Sequence, residues 1–585
     1  MTAPVGFDLE TATADKLFSY GPGFIKVAGF TSDDVARPVW TTHYAEELIA
    51  VLRQAPWIYG HNIFGFDLLA LAYHHGADWD ELSRKAVDTE ILDRLVHPPM
   101  ARDTGGSLDK YDLDHVSERY GVPGKTGSLA DIARVHGGYD NIPSDDPGYL
   151  DYLKGDVDAV KALIARIPNG PILKGEGAEY ARREHRIAGI NGQITLNGFR
   201  VDIPLLEERI SLGEEYKRAA LESLRDDYDL PLGRFGWKGR GDKKEEFWED
   251  FGSPLATLEG RKWLIEVWDA FGVRNPPVTD TGRLSVSAAD LRPIAESSII
   301  HPDLRRILGL MITVTTTRTI YQTVRDHLAG DRVHPLIVMR QASGRSSVTS
   351  PGLTVMGKHG GRHIERDVLV PDEGRVLISG DLNQVDMRAV AALSGDKEYA
   401  RLFEPGKDVH REHAIMIYGD ETFRQEAKAI GHGANYGQGP SALIAKGHNP
   451  ERVRQFFEYR SSRFPRLMEW TEEIREQAKS GGLLDNGFGR LMRPDPKRAH
   501  TQGPALMGQG GAADLLKEVL LRLPPEFRPW LKLTVHDEIL LDVPEGDARE
   551  VREELRKAMT FEWKGVPILC DVSEPGYSWG EVSAK

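Results

Sequence analysis

The sequence predicts an α/β protein with several domains. Length is the first reason, because 585 residues correspond to roughly three to five domains. The second is that strand-like apolar runs alternate with helical patterns in the N-terminal part, whereas the pattern from about Arg166 to Val333 is mainly helical. The third is the apolar run Val376–Ile378, which is typical of a buried strand and leads to Asp381.

Composition limits the functions that the chain can have. Hydrophobic residues make up 40% and charged residues 28%, which are ordinary proportions for a soluble globular protein. No apolar run approaches the ~18 residues of a membrane helix, and MTAPVGFDLET is not a signal segment, so we expect a cytoplasmic protein without a membrane partner. A single cysteine, Cys570, excludes an intramolecular disulfide and a cysteine-rich zinc site. The net charge of −15 argues against a nucleic-acid partner but allows a local basic groove.

The N-terminal part contains three separated segments that each carry acidic residues. Val5–Leu9 reads as a strand, in which side chains two residues apart share a face, and a second strand-like run leads into a helical pattern. The third segment is helical, so side chains four residues apart reach one point. The candidate site residues of the three segments are Asp8, Glu10, Asn62, Asp67, Tyr152 and Asp156. Such carboxylates can converge on two metal ions, and unrelated surface charge is the alternative.

Turn signals delimit further elements. Gly198 is predicted to end one helix, and Asp202 to cap the next. Near the C-terminus, KLTVHDEILLDV reads as a strand, a bend and a second strand, with His536, Asp537 and Glu538 at the bend.

A four-residue repeat in Phe423–Gly437, FRQEAKAIGHGANYG, predicts a helix with one basic face. Residues four apart form a slowly drifting stripe on a helix, here Arg424, Lys428, His432 and Tyr436. This stripe suits a polyanion such as a triphosphate lying along the helix, with the aromatic ring stacking on a flat group. A solvated surface helix with chance spacing is the alternative.

The N-terminal segments resemble the three motifs of the DnaQ-like 3′–5′ exonucleases, whose fold is ribonuclease-H-like. The resemblance implies an exonuclease domain over residues 1–165 and two-metal hydrolysis of a phosphodiester. The four motif carboxylates would hold the two ions, and Tyr152 would orient the attacking water. The matching patterns are Asp8-x-Glu10, His61-Asn62-xxx-Phe66-Asp67 and Tyr152-xxx-Asp156.

From Val333 onwards the chain resembles the family A DNA polymerases. VHPLIVMRQASGRSSVTSPGL is similar to TGRLSSxxPNLQN, SGDLNQVDMR to DYSQIELR, and the basic helix to RRxxKxxxFxxYG. NGFGRLMRPD, GQGGAADLLKEVLL, KLTVHDEILLDV and GYSWGE follow in the family's order. The resemblance implies a right-hand polymerase: a mainly helical thumb and the start of the polymerase domain over 166–332, the first part of the palm over 333–400, fingers over 401–500 and the second part of the palm over 501–585.

The same resemblance implies a role for each motif residue. Asp381 and Asp537 would bind two Mg²⁺ ions, for which Mn²⁺ could substitute, and the Leu382 carbonyl would complete one site. Arg424 and Lys428 would bind the dNTP triphosphate, and Lys428 would also protonate the leaving pyrophosphate. The remaining roles are catalytic support of the primer end by Glu538, dNTP contacts by Gln384, Asp386, His432 and Tyr436, and DNA contacts by Arg345, Gln509 and His536.

Two of these positions depart from the family pattern. His432 stands where relatives have Phe or Tyr against the sugar, and Asp386 stands where they have the glutamate that crowds a ribonucleotide 2′-hydroxyl. Because Asp386 is one methylene shorter, we expect weaker exclusion of ribonucleotides.

The resulting expectation is a DNA polymerase with 3′–5′ proofreading that replicates phage DNA in the host cytoplasm. Expected partners are primer–template DNA, dNTPs and a phage helicase, primase or single-strand binding protein. We expect a monomer, no thioredoxin partner and no preceding 5′–3′ nuclease segment. The alternatives are a single-subunit RNA polymerase and a DNA-binding protein or nuclease without polymerase activity. The exonuclease motifs and Asp386 argue against the first, and Asp381 with Asp537 against the second.

Overall fold

The computed structural model describes residues 3–32, 39–101, 110–124, 127–167, 176–238, 245–279, 282–297, 300–316, 320–357 and 365–583. The chain divides into a larger compact unit, Met1–Arg200 with His327–Lys585, and a smaller unit, Val201–Asp326. The smaller unit lies inside the predicted thumb segment 166–332, but the helix that opens this segment belongs to the larger unit. The finer domain boundaries stay a prediction. Among the described helices, none is both long and apolar enough to cross a membrane.

The N-terminal part of the larger unit is built around a five-stranded sheet. Its strands are β1 (Val5–Thr11), β2 (Ile25–Ser32), β3 (Trp40–Thr42), β4 (Ile58–Gly60) and β5 (Ala86–Asp88), in the order β3-β2-β1-β4-β5. β1 is antiparallel to β2 and parallel to β4. The helices are α1 (Ala45–Gln54), α2 (Asp67–His75), α3 (Trp79–Arg84), α4 (Thr89–Val96), α5 (Leu113–Tyr120), α6 (Leu129–Val135), α7 (Pro147–Arg166) and α8 (Glu176–Asn197), and β6 (Phe199–Val201) follows.

Strand β1 confirms the predicted N-terminal strand and extends it by two residues. Val5 and Phe7 are fully buried on one face, so Asp8 and Glu10 share the opposite face. Asp8 pairs with Gly29 of β2, where an added Cβ would lie only 2.9 Å from the Leu153 side chain. Glycine at this position therefore lets helix α7 approach the sheet directly beside Asp8.

The smaller unit is mainly helical, as the sequence predicts. It contains α9 (Ile203–Tyr228), β7 (Gly233–Lys238), β8 (Glu245–Asp250), α10 (Leu258–Ala270), α11 (Ala288–Ala295), α12 (Pro302–Thr316) and α13 (Ile320–Asp326). Trp268 and Leu308 belong to its buried core, and β7 pairs with β8 as an antiparallel hairpin.

The C-terminal part of the larger unit holds a second, four-stranded sheet. The strands of this part are β9 (Arg332–Val333), β10 (Leu336–Val338), β11 (Ser347–Thr349), β12 (Leu369–Val370), β13 (Arg375–Leu382), β14 (Leu484–Asp485), β15 (Leu491–Met492), β16 (Leu531–Val535), β17 (Glu538–Pro544), β18 (Phe561–Trp563), β19 (Val566–Ile568) and β20 (Cys570–Val572). The sheet order is β16-β17-β13-β20, and β13 is antiparallel to both of its neighbours. Val376–Ile378 is buried in β13, which confirms the predicted strand.

This part also contains ten described helices. They are α14 (Val385–Ser394), α15 (Lys397–Ala400), α16 (Val409–His413), α17 (Arg424–Asn435), α18 (Pro440–Ala445), α19 (Pro450–Arg463), α20 (Pro465–Lys479), α21 (Ala499–Arg522), α22 (Ala548–Met559) and α23 (Trp579–Ser583). Helix α17 confirms the helix predicted from the four-residue repeat, and Tyr436 is its C-cap residue.

The predicted turns are also present. Gly198 has φ +60°, in the left-handed region that glycine tolerates, and it follows the last residue of α8. Asp202 caps α9 by accepting a hydrogen bond from the Leu205 backbone N–H at 2.9 Å. His536 and Asp537 form the turn between β16 and β17, where His536 has φ +57°.

Candidate active sites

Three of the predicted N-terminal metal ligands form an acidic cluster, which consists of Asp8, Glu10 and Asp156. One carboxylate oxygen from each lies within 4.8 Å of the others. β1 supplies the first two on one face, and α7, close to the sheet at Gly29, supplies the third. Glu10 and Asp156 are buried, and Asp8 is half-buried. Three carboxylates so close together repel one another, so a shared cation would stabilise the arrangement.

The fourth predicted ligand, Asp67, lies beside the acidic cluster but is not a member of it. It is the first residue of α2, and its Oδ1 accepts a hydrogen bond from the Leu9 backbone N–H at 3.0 Å. This bond fixes Asp67 against β1 between Asp8 and Glu10. Burial raises the pKa of Asp67, and the charges of Asp88 and Glu10 raise it further.

Two tyrosines of α7 accompany the acidic cluster. Tyr152, which the sequence predicts as the residue that orients water, is buried. Tyr149, three residues earlier, donates its hydroxyl to the Thr11 carbonyl at 3.3 Å. Burial, followed by the charge of Glu10, raises the pKa of Tyr149, so this phenol keeps its proton and can donate a hydrogen bond. The sequence patterns did not indicate Tyr149, although its spacing from Tyr152 places both on one side of α7.

A second candidate site lies where β13 ends beside the turn between β16 and β17. Asp381 pairs in register with Glu538, and the Leu382 backbone N–H donates to the Asp537 carbonyl at 3.0 Å. The backbones of Asp381 and Asp537 are therefore adjacent. Both side chains are half-buried, whereas the neighbouring His536 is exposed. This position gives the two predicted metal ligands access to solvent at one end of the sheet.

Helix α17 presents the predicted stripe with its apolar residues inside. Ala427 and Ile430 are fully buried, and Lys428 is exposed. Arg424 forms an ion pair with Asp408, at 2.7 Å between Nε and Oδ2. Burial and the charge of Lys428 lower the pKa of His432, so its imidazole is neutral near pH 7.

The last residue of the stripe contacts two other predicted residues. Asp386 accepts a hydrogen bond from the Tyr436 hydroxyl, and it pairs with Arg345 at 2.8 Å and 3.0 Å. Burial, followed by the charge of Asp386, raises the pKa of Tyr436. The structure thus joins the predicted sugar gate, the stacking ring and the DNA-contacting arginine through one carboxylate.

Two glutamines, Gln384 and Gln509, are also predicted to contact the substrates. Gln384 has φ +53° at the start of α14, and its Oε1 is buried without a hydrogen-bond partner among the described residues. Gln509 is half-buried on α21.

The second candidate site lies in a region of the chain that matches a known protein family. The family model for DNA polymerase family A matches residues 267–581, more than half of the chain. The chain belongs to DNA polymerase family A. The match contains Asp381, α17 and Asp537, whereas the acidic cluster lies N-terminal to it.

Two relatives of this family A chain come from a bacterium and from a phage. It is 27% identical to the thermostable DNA polymerase I of Thermus filiformis, over 69% of this chain and 48% of the relative. It is 25% identical to the DNA polymerase of Mycobacterium phage D29, over 88% of this chain and 83% of the relative. The chain thus spans about half the length of the Thermus relatives.

A solved structure is similar to the whole chain of this family A member. The structure of the POL domain of Pol1 from M. smegmatis, in complex with DNA primer-template and dNTP, aligns with a TM-score of 0.73 and 20% sequence identity. The alignment covers 100% of this chain and 96% of the other. This similarity establishes a mixed α/β multidomain fold.

Within this family A chain, Glu538 lies in a buried hydrogen-bond network. The sequence groups it with the catalytic residues, but the structure buries its carboxylate. It accepts hydrogen bonds from Ser379 at 2.7 Å, Arg366 at 3.0 Å and the Trp579 indole at 3.1 Å. The guanidinium of Arg366, which the sequence did not indicate, also lies 3.9 Å from the centre of a Trp579 ring. These contacts hold Glu538 at the start of the strand next to Asp537, and its predicted support of the primer end stays a prediction.

Replacing Glu538 with alanine is expected to lower the free energy of unfolding by about 3–5 kcal/mol, because Arg366 would stay buried without its charge partner. Glu538→Gln should cost less, since an amide oxygen still accepts hydrogen bonds. Thermal and denaturant unfolding measure the difference, with Glu553→Ala on the exposed side of α22 as the control. An alanine variant as stable as the wild type would contradict the packing role.

Proposed function

We propose that this family A chain is a template-directed DNA polymerase that adds dNTPs to a primer 3′-hydroxyl by a two-metal mechanism. The observation that carries the proposal is the adjacency of Asp381 and Asp537, joined by the Leu382–Asp537 backbone bond, inside the family match. The solved relative that aligns over the whole chain is described as a complex with DNA primer-template and dNTP, which supports the same substrates here.

The donor set of this site suits magnesium. Two half-buried carboxylates and the Leu382 backbone carbonyl are hard oxygen donors, which Mg²⁺ prefers. Bound ions would lower the pKa of the primer hydroxyl and stabilise the negative charge of the reacting phosphates.

The chain's own residues would position the nucleotide. Lys428 is exposed on α17, so its ammonium group is available to the triphosphate and to the departing pyrophosphate. Arg424 would add a second positive charge on the same face, although it must share its guanidinium with Asp408. Tyr436 would stack near the templating base, and Arg345, Gln509 and His536 would contact DNA.

We propose a second activity, 3′–5′ exonuclease proofreading, at the acidic cluster. The specific observation in its favour is that Asp8, Glu10 and Asp156 place three carboxylate oxygens within 4.8 Å, with Asp67 fixed beside them. This donor set also suits divalent cations, which would activate water for hydrolysis. Tyr152 and Tyr149 lie on the helix that carries Asp156 and would orient that water.

The biological setting is part of the same proposal. Similarity to the DNA polymerases of Mycobacterium phages D29 and L5 favours replication of phage DNA in a host cytoplasm. A monomer that works with a phage helicase, primase or single-strand binding protein is the expected assembly, without thioredoxin.

Primer extension tests the main proposal. The wild-type protein, given a primed template, dNTPs and Mg²⁺, should extend the primer to the end of the template, and chelation of divalent cations should stop it. Extension with rNTPs but not with dNTPs would favour the RNA polymerase alternative. Absence of extension under both conditions would reject the polymerase function.

Replacement of Asp386 with glutamate is expected to raise selection for dNTPs over rNTPs by about 10-fold or more, since one methylene in a pocket is worth ~1–3 kcal/mol. The longer side chain would crowd a 2′-hydroxyl while it keeps the carboxylate for Arg345 and Tyr436. Single-turnover incorporation of matched dNTP and rNTP gives the ratio. Tyr436→Phe removes only the hydroxyl bonded to Asp386. It is the control that shows whether a change in the position of the Asp386 carboxylate alone alters the ratio. An unchanged ratio in Asp386→Glu would remove Asp386 from the sugar gate.

A further inference from the structure

An arginine from the C-terminal part of the larger unit lies in the cleft next to the acidic cluster. The cleft has a volume of about 490 Å³, and its lining includes Asp8, Asp67, Asp156, Glu90 and Arg340. Arg340 follows β10, in the segment that also carries Arg345. A cleft lined by this many carboxylates would repel a single strand of DNA unless positive charge is supplied nearby.

Arg340 is held by two residues of the N-terminal part. Its Nε donates to one carboxylate oxygen of Glu90 at 2.7 Å, and its Nη2 donates to the other at 2.8 Å. Nη2 also lies 3.4 Å from the Asn62 side-chain oxygen. The Glu90 side chain is 4% exposed and that of Arg340 is 50% exposed, so the paired edge of the guanidinium faces the protein.

Both partners of Arg340 are fixed by one buried carboxylate. Oδ1 of Asp88 accepts hydrogen bonds from the backbone N–H groups of Asn62 and Glu90, each at 2.9 Å. Arg94 lies 3.4 Å from Glu90 and also donates to the Met339 carbonyl. The position of Arg340 is therefore set before any strand enters the cleft, which lowers the cost of ordering it on binding.

We propose that Arg340 binds a backbone phosphate of the single strand in the exonuclease cleft, an inference that rests on the proposed exonuclease function. Its bonds to Glu90 and Asn62 engage Nε and Nη2, and half of the side chain stays exposed. With respect to the described residues, Nη1 is therefore left to donate to a phosphate oxygen.

The other basic residues of the cleft lining are less suited to this role. The His61 ring nitrogens already face the Thr89 hydroxyl at 2.9 Å and the Tyr111 carbonyl at 2.8 Å. Lys110 lines the cleft as well, but it is exposed and carries no comparable pair of fixed partners among the described residues.

The inference gives the exonuclease cleft a component from the polymerase part of the chain. Arg340 faces the acidic cluster, whereas Arg345 of the same segment pairs with Asp386 in the second site. One short segment thus supplies an arginine to each candidate active site. The exonuclease cleft would be incomplete without the residues that follow β10.

Steady-state degradation of a single-stranded oligonucleotide by the full chain tests the inference. Arg340→Ala should raise KM about 10-fold at low salt, change kcat little and leave primer extension unchanged. Because one phosphate contact is lost, the slope of log affinity against log salt concentration should decrease in magnitude by about 0.7. Arg53→Ala removes an exposed arginine paired with Glu81 and is the matched control, expected to behave as the wild type.

Glu90→Gln separates phosphate binding from a merely structural role. This variant keeps the guanidinium of Arg340 but removes one of its two hydrogen bonds to residue 90, so KM should rise by less than in Arg340→Ala while the salt slope keeps its wild-type value. Two results would overturn this inference without affecting the proposed exonuclease function. One is a wild-type KM and salt slope in Arg340→Ala, and the other is a KM in Glu90→Gln that rises as much as in Arg340→Ala. A wild-type protein that degrades no single strand would instead overturn the proposed exonuclease function together with it.

Discussion

Replacement of Asp381 with asparagine is expected to reduce primer extension by about 10³-fold or more while single-strand degradation continues at the wild-type rate. Asp381 and Asp537 form the proposed ligand pair at the end of β13, and an amide binds Mg²⁺ more weakly than a carboxylate. A metal ion supplies several kcal/mol of transition-state stabilisation, and each ~1.4 kcal/mol corresponds to a tenfold change in rate.

The measurement is single-turnover extension of a primed template, with degradation of an unpaired oligonucleotide measured in the same preparations. Glu553→Gln, which removes an exposed carboxylate from α22, is the control for net charge. Because Asp381 is half-buried at a strand end, the asparagine variant should keep the wild-type melting temperature. If Asp381→Asn extended primers normally, the assignment of this site would be wrong. Loss of both activities would contradict the division between two sites.

Residues that share a strand or helix were predictable because backbone geometry fixes their relative positions. The period of two in β1 places Asp8 and Glu10 together, and the period near four in α17 separates its basic stripe from buried Ala427 and Ile430. The capping pattern at Asp202 is equally local. Each of these inferences needs only a few neighbouring residues.

Contacts between distant segments were not predictable in this way. The Tyr436–Asp386 bond joins the end of α17 to α14, and the Glu90–Arg340 pair joins α4 to the segment after β10. No local period encodes which of several carboxylates will meet a given cation after folding. The burial of Glu538 has the same origin, since its partners Arg366 and Trp579 come from distant parts of the chain.

Asp156→Asn is expected to reduce the rate of single-strand degradation by about 10²-fold or more and to leave primer extension intact. Asp156 belongs to the acidic cluster, so loss of its charge would remove one ligand from the proposed metal site. Asp151→Asn is a closely matched control, because Asp151 is exposed on the same helix and differs from Asp156 in its surroundings, not in its chemistry. The paired assays are those used for Asp381→Asn.

Thermal unfolding of the same variant without divalent cations provides an independent test of the acidic cluster. Three carboxylates within 4.8 Å repel one another when no cation is shared, so neutralising the buried Asp156 should leave the melting temperature unchanged or raise it. Added Mg²⁺ should stabilise the wild type more than Asp156→Asn, because a ligand stabilises the state that binds it. A variant that loses activity and also melts well below the wild type without metal would show that Asp156 supports the fold. The cluster would then no longer be the proposed metal site.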